Sequence, residues 1–392
     1  MIVDLGDLAF ERGGLTLVKR ALNRVPIGET VRVRGTDPHL ALHVVAWCRA
    51  QGHRVERIDD RLAITRGPAS RWNGALVAGR ADPFDTDAVL PHPDPSWGLA
   101  PRGSFVEAGG PSFDYPITNR AQVWSDGAQR LYRQAAAAQW DPATAIDWGA
   151  VIEHDDEIED AVVQIMTFLI ENEMAALQIP ASFLARIHPH FQEVVQVLAI
   201  QAADEARHVE VFTRRATLLR RTLGLSTVGG RQSLKTLLDE PDFALASFLL
   251  SVLGEGSFLS LLRFLSENAP DPITAQVAKL AGQDEARHVA FGLEHLRRHV
   301  QEAPALLPRL ARAIESRHRA LRDTAGLNEE VFDALVILAA GDFSPASIAR
   351  GHELVDALQQ DMDRGRKARL SSLGFDEAEA TRLSALHTRN FM

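Results

Sequence analysis

The sequence predicts a mostly helical protein: a four-helix bundle with extra helices, preceded by a small two-layer α+β domain of order βαβαββ. Three observations carry that expectation. Four long stretches, near residues 153–185, 189–223, 242–268 and 272–301, place apolar residues at helical spacing. Each would be about 45 Å long as one helix, enough to enclose a buried site. The first 66 residues instead alternate short β-rich runs with two helical ones. Between them, residues 67–120 are rich in proline, glycine and aspartate and hold no period.

The N-terminal elements follow from local pattern. VRVRG at 31–35 comes after a Gly28-Glu29 turn, and HRVERI (53–58) and RLAIT (61–65) flank an Asp59-Asp60 turn. LTLVKRALNRV (15–25) and PHLALHVVAWCRAQ (38–51) are the two helices. Residues 67–120 read as an extended linker. From residue 121 to 392 nearly everything reads as helix, the four long segments being followed by shorter ones.

Composition excludes several functions. The chain of 392 residues carries a formal charge of -10, which disfavours nucleic acid and anionic membrane as partners. The arginine pairs 214/215, 220/221 and 297/298 read as solvated helix faces. No apolar run reads as a bilayer span, and MIVDLGD has no signal-peptide pattern, so the expected location is cytoplasmic. Cys48 is the only cysteine, which excludes an internal disulfide, a rubredoxin-type site or an iron–sulfur cluster held by this chain alone. No flavin or nicotinamide fingerprint is present.

The chemistry lies in a repeated hexapeptide. DEARHV occurs at Asp204–Val209 and again at Asp284–Val289, both times mid-helix. Glu205 and His208 are three apart and share a helix face, as do Glu285 and His288. Each helix thus offers a carboxylate and an imidazole to one point. Asp204 and Asp284 stand one turn before their histidines, where an aspartate on the same or a facing helix can accept the other ring N–H and fix the tautomer. Carboxylate with imidazole suits iron, manganese or zinc better than calcium. Burying these charges without a cation would be costly.

The partner helices supply further acids. Glu255 is the sole acid in SFLLSVLGEGSFLSLLRFL, and FLIENEMAALQIPASFL offers Glu173, with Glu171 as competitor. Glu173 is preferred because Ala175, Ala176 and Leu177 follow it as a small-residue face. Leu169, Ile170, Leu177, Phe183, Phe212, Leu250, Phe258 and Leu259 are core candidates, some of which would line a pocket for a small apolar or aromatic substrate. His188 and His190 read as helix-start residues, and His154 has no evident partner.

The pattern Glu…Glu-x-x-His…Glu…Glu-x-x-His resembles the ligand set of the ferritin-like dinuclear iron carboxylate superfamily over roughly residues 121–301. LYRQAAAAQWDPATAIDW is similar to the segment that precedes the bundle in ribonucleotide reductase small subunits and related oxidases. The resemblance implies a site for two iron ions, or a manganese–iron pair, that reacts with dioxygen. Glu173, Glu205 and His208 would hold one metal and Glu255, Glu285 and His288 the other, with Glu173 and Glu255 also assigned to catalysis. Arg207 and Arg287 would pair with Asp284 and Asp204 across the core. Electrons would come from an external reductase or ferredoxin, and a homodimer is compatible with the family.

Departures narrow the subclass. Phe212 stands where reductase small subunits carry their radical tyrosine, and Tyr115 and Tyr132 both lie outside the long helices. Leu259 and Phe258 replace the hydroxyl residues of monooxygenase hydroxylases and acyl desaturases; Ser257 and Ser260 are close but off position. Ala281 stands where arylamine N-oxygenases add a histidine. The leading expectation is a dioxygen-activating dinuclear iron oxidase or oxygenase on a small organic substrate. Its rivals are a non-catalytic metal-binding scaffold and a manganese–iron oxidase, which Phe212 permits.

The N-terminal stretch LNRVPIGETVRVRGTDPHLALHVVAWCRAQGHRV resembles the TusA-like sulfur-carrier family. That family's Cys-Pro-x-Pro falls on Glu11 and reads ERGG here, so the carrier chemistry is absent and the domain is expected to serve docking or structure. Cys48 is expected to be a buried helix residue.

Overall fold

In a computed structural model the chain is described over residues 1–68, 74–81, 88–219, 222–322 and 329–386. It divides into two compact units, residues 1–82 with 100–112, and residues 83–99 with 113–392.

The first unit has the expected order. Strands β1 (Ile2–Asp4), β2 (Thr30–Arg34), β3 (Arg54–Ile58) and β4 (Arg61–Thr65) form a sheet of order β1-β2-β4-β3, with β1 parallel to β2 and the other pairs antiparallel. Asp59 takes a positive φ of 54° in the β3–β4 turn, a conformation Asp tolerates. Along β2, Val31 and Val33 are buried while Thr30, Arg32 and Arg34 are exposed, so one sheet face is covered. Helices α1 (Gly14–Asn23) and α2 (Leu40–Ala50) bring Val18, Leu22, Val44 and Cys48 into the same core. Cys48 is fully buried, and burial pushes its thiol up to about 12, as an inert core residue requires.

The described residues of the 67–120 stretch are divided between the two units. Strand β5 (Leu76–Val77) pairs with β6 (Phe105–Val106) inside the first unit. Residues 88–99 belong to the second unit, where Asp94 accepts the Ser96 backbone N–H, Trp97 is buried, and Arg120 donates to the Val89 carbonyl at 2.8 Å. Turns and side-chain-to-backbone bonds hold this stretch, and such bonds leave no periodic signature.

The second unit is helical, consistent with a ferritin-like helical fold. Its helices are α3 (Ala128–Ala137), α4 (Asp156–Leu184), α5 (Gln192–Ala216), α6 (Val228–Leu238), α7 (Phe243–Ser247), α8 (Gly256–Asn268), α9 (Pro272–Glu302), α10 (Leu306–Leu321), α11 (Glu329–Ala340), α12 (Pro345–Ser372) and α13 (Glu377–Ala385). Helix α4 packs along α5, and α8 along α9. Between α7 and α8 the chain widens into a π-helix, Phe248–Glu255. Side-chain periodicity over eight apolar residues does not announce such a turn, yet π segments recur at functional sites.

Three expectations change here. Phe243–Asn268 is long and apolar enough to cross a bilayer by length and composition, contrary to the sequence reading, although 72% of that apolar window is buried inside the protein. Arg215 is no surface residue: it is wholly buried, donating to both Glu159 oxygens at 2.8 Å, to Asp271 at 2.8 Å and to Thr274 at 2.7 Å. That network ties the start of α4, the end of α5 and the start of α9. His154 also has a partner, Glu159, at 2.9 Å. Of the other arginine pairs, 297/298 is partly exposed, and 220/221 lies outside the described residues.

Candidate metal centre

Helix α5 delivers Glu205 and His208 from one face, and α9 delivers Glu285 and His288 from the matching face. Glu173 comes from α4, and Glu255 from the last residue of the π segment. All six are buried.

They gather into two overlapping groups. Ligand atoms of Glu173, Glu205, His208 and Glu285 lie within 4.8 Å of one another, and so do those of Glu205, Glu255, Glu285 and His288. Glu205 and Glu285 belong to both. Glu205 presents Oε2 to His208 Nδ1 at 3.1 Å and Oε1 to His288 Nδ1 at 3.0 Å. Glu285 presents Oε1 to His208 Nδ1 at 3.4 Å and Oε2 to His288 Nδ1 at 3.4 Å. Each of the two central carboxylates therefore spans both groups, one oxygen apiece, while Glu173 and Glu255 sit on one group each. Glu171, the competitor, is only partly buried and is in neither.

The other imidazole nitrogens face aspartates, and they do so crosswise. His208 Nε2 lies 3.2 Å from Asp284, and His288 Nε2 lies 3.3 Å from Asp204. With the proton on Nε2, each Nδ1 lone pair points into the carboxylate cluster. Arg207 joins the two aspartates, donating to Asp204 at 2.5 Å and Asp284 at 2.8 Å. Arg287 pairs closely with Asp284 on its own helix and stands 3.8 Å from Asp204.

Sequence reasoning missed several supporting residues. Gln139 donates to Asp204 at 2.7 Å and accepts from Arg207 at 2.5 Å. Trp140 donates to Asp284 at 2.8 Å, and its ring lies 4.6 Å beneath the Arg207 guanidinium. Both sit just after α3, in a polar-aromatic pair that only a fold brings to the cluster. Gln201, one turn before Glu205, donates to Glu255 at 2.9 Å; its spacing on the α5 face was the available signal.

Burial and mutual repulsion set the protonation of the cluster, and several of its acceptors are left without partners. Burial, then the Glu205 and Glu285 carboxylates, push Glu173 well above the usual carboxylate range. Burial and Glu285 do the same to Glu255. Burial would raise Glu205 as well, but the His288 and His208 imidazoles overcome it and hold that carboxyl well below its ordinary value. Burial opposes charge on His208 and His288, and their carboxylate neighbours outweigh it and raise both. Glu173 Oε1, Glu255 Oε2, both oxygens of Glu285 and His288 Nδ1 are buried with no hydrogen-bond partner. Orphaned acceptors of this kind, aimed at one another, fit a donor set for divalent metals.

A cavity of about 20 Å³ adjoins the cluster, room for about one water-sized group. Glu173, Glu255 and Glu285 form its polar side; Ala176, Leu250 and Phe258 form part of the apolar side, with Leu234 and Leu237 of α6, which the sequence did not flag. Leu169, Phe183 and Phe212 are core, and Leu259, Ile170 and Leu177 are only partly buried. The Phe212 ring centroid lies 6.3 Å from that of His208. Ser257 donates to the Leu253 carbonyl and Ser260 to Asp361, so both hydroxyls are engaged elsewhere. His188 caps the turn before α5, accepting from the His190 N–H, and His190 accepts from Leu90, as helix-start residues do.

No family model matches the sequence, and no curated protein matches it. Solved structures are similar in fold. An R2-like ligand-binding oxidase with an aerobically reconstituted metal cofactor superposes with a TM-score of 0.51 at 18% identity, over 64% of this chain and 93% of the other. A variant of an R2-like ligand-binding oxidase with an anaerobically reconstituted Mn/Fe cofactor gives 0.52 at 19% identity, over 62% and 93%. Another variant, with an aerobically reconstituted Fe/Fe cofactor, gives 0.50 at 18%, over 62% and 92%. The helical unit thus shares the fold of R2-like oxidases that carry Fe/Fe or Mn/Fe cofactors, and it holds buried Glu/His clusters that could bind two metal ions.

Proposed function

We propose that the protein is a dioxygen-activating dinuclear iron oxidase or oxygenase acting on a small organic substrate, its metals held in a ferritin-like four-helix bundle. The observation that carries this reading is the pair of buried, overlapping clusters with Glu205 and Glu285 common to both. Glu173, Glu205 and His208 would hold one ion, and Glu255, Glu285 and His288 the other, with Glu205 and Glu285 common to both groups. If bound by these residues, a pair of ferrous ions would supply the electrons needed to reduce dioxygen.

The chain's own residues do the rest. Asp284 and Asp204 keep the Nε2 protons of His208 and His288, leaving each Nδ1 free as a ligand. Arg207 fixes both aspartates and prevents them from competing for the metals. Gln201 orients Glu255 through its amide N–H. Leu250, Phe258, Leu234 and Leu237 keep water from the side of the cluster where an apolar or aromatic substrate would sit. An external reductase or ferredoxin would return the electrons, in a cytoplasmic setting. The N-terminal unit, whose βαβαββ order suits a TusA-like fold, would serve docking or structure.

A manganese–iron pair is the second reading, favoured by Phe212 beside His208 and by the Mn/Fe cofactor of a structural neighbour. The test is to load the protein anaerobically with ferrous iron and admit air while following absorbance and oxygen uptake. The oxidase reading expects stoichiometric oxygen consumption with a new near-ultraviolet or visible band. Bound iron with neither would leave a metal-binding scaffold.

A further inference from the structure

A second cavity lies apart from the metal cluster, among the π segment, α10, α12 and α13. It measures about 30 Å³, room for about two water-sized groups, the size of one carboxylate. Its walls are largely aliphatic, with Leu249, Leu253, Leu370 and Leu383 among them, but two arginines, Arg317 and Arg366, also line it.

Among the described residues neither arginine has the carboxylate partner that a buried guanidinium ordinarily has, and Arg317 is itself half-buried. Arg366 is 6% exposed, and its bonds are long ones to hydroxyls, Ser384 at 3.3 Å and Ser257 at 3.4 Å. Arg317 donates one nitrogen to Ser233 at 2.7 Å, while its Nη1 is buried with no acceptor. Neither has an ion-pair partner among the described residues. The nearby Asp363 is already engaged by Lys367 at 2.7 Å and Ser384 at 2.6 Å. Arg369, which is not in the lining, adds positive charge beside Arg366; its Nε donates to the Val252 carbonyl at 2.7 Å and its Nη2 is buried without an acceptor. Burial alone pushes Arg317 down to about 10, and burial, against a weaker pull from Asp363, brings Arg366 to about 10. An uncompensated cation in an apolar wall is costly, and an anion seated between the two would relieve that cost.

We propose that this cavity is a binding site for a carboxylate-sized monoanion, gripped by Arg317 and Arg366. The guanidinium forks suit the two oxygens of a carboxylate, and the leucine walls suit an apolar group attached to it. The shared chemistry admits a free small anion or the end group of a short aliphatic acid. Leu249 and Leu253 line this cavity, whereas Leu250, Gly254 and Glu255 of the same π segment line the cavity beside the metal cluster. The anion would therefore bind behind the segment that carries Glu255.

The test is thermal unfolding of the purified, metal-loaded full chain against acetate, chloride and hexanoate, at constant ionic strength set with a bulky sulfonate. Wild type is expected to gain Tm with anion concentration. In Arg317→Gln and Arg366→Gln the half-saturating concentration should rise at least tenfold while metal content stays unchanged. With the bulky sulfonate as the only anion both variants should match or exceed the wild-type Tm, because each removes a cation without an ion-pair partner among the described residues. Tighter binding of hexanoate than acetate would identify an aliphatic acid as the ligand; chloride equal to or tighter than acetate would identify a free ion. No shift in wild type, an equal shift in the variants, or variants that unfold earlier without anion would overturn the proposal. None of these outcomes depends on the oxidase reading.

Discussion

Asp284→Asn is the most informative single change near the metal cluster. Asp284 receives His208 Nε2 at 3.2 Å, Arg207 at 2.8 Å and Trp140 at 2.8 Å, besides its close pairing with Arg287. Asparagine keeps the shape but loses one acceptor oxygen and the charge. Its amide N–H₂ can face the imidazole only if the His208 proton leaves Nε2 for Nδ1, the nitrogen proposed as the metal ligand. Outer partners of ligating histidines are worth about 10–100-fold in metal affinity, or about 1.4–2.8 kcal/mol. Of the two histidines only His208 contacts Asp284, so one ion of two should be lost first. The assay is chelator competition on the loaded protein, with metal counted at each chelator concentration. The concentration that removes the first ion should fall about 10–100-fold, with the second ion held nearly as in wild type. Asp204→Asn should reproduce this for the other ion through His288. Wild-type chelator resistance in both variants would refute the crosswise aspartate–histidine pairing as a positioning device.

Arg215→Met should cost about 3–5 kcal/mol in urea unfolding, because Glu159 and Asp271 would be left buried without their cation; a loss under about 1 kcal/mol would mean they find other partners. Gly292→Ala should destabilise by about 1–3 kcal/mol and loosen metal binding, since a Cβ there would stand 2.5 Å from Ser251 Cβ in the π segment; an unchanged denaturation midpoint would show that the segment yields freely. His295 is wholly buried against the Trp124 carbonyl, with His299 and Asp242 nearby, and burial lowers it to about 3 from its ordinary 6.5. Its folded value is depressed, so the stability it confers is present above 6.5 and is lost as pH falls from 6.5 toward 3, by up to about 5 kcal/mol. Unfolding free energies of wild type and His295→Gln between those limits should diverge, wild type falling more steeply; parallel curves would contradict the assignment.

The parts legible in the sequence were those fixed by helical period. Glu205, His208, Glu285 and His288 share their faces because three residues nearly complete a turn, and the duplicated DEARHV marks both helices at once. Glu173 and Glu255 were visible as acids in apolar helices. What escaped was set by three-dimensional closure. Nothing in Gln139-Trp140 says that those side chains will meet Asp204 and Asp284. The π turn that ends on Glu255 costs one extra residue of register and leaves an apolar stretch looking like an ordinary helix. Arg215 looked like half of a surface pair because burial of a guanidinium depends on carboxylates from two other helices. The division of residues 67–120 between two units was hidden for a similar reason, since turns and caps carry no period.

If the six side chains hold two metals through Glu205 and Glu285, the metal content of the protein must depend on those two carboxylates. The purified chain should carry about two iron or manganese ions. The Glu205→Ala, Glu285→Ala double variant, which removes both carboxylates common to the two groups, should carry almost none while keeping its helical circular dichroism. Little metal in both proteins, even after anaerobic loading with ferrous iron, would contradict the account and make the twin hexapeptide a buried charge network.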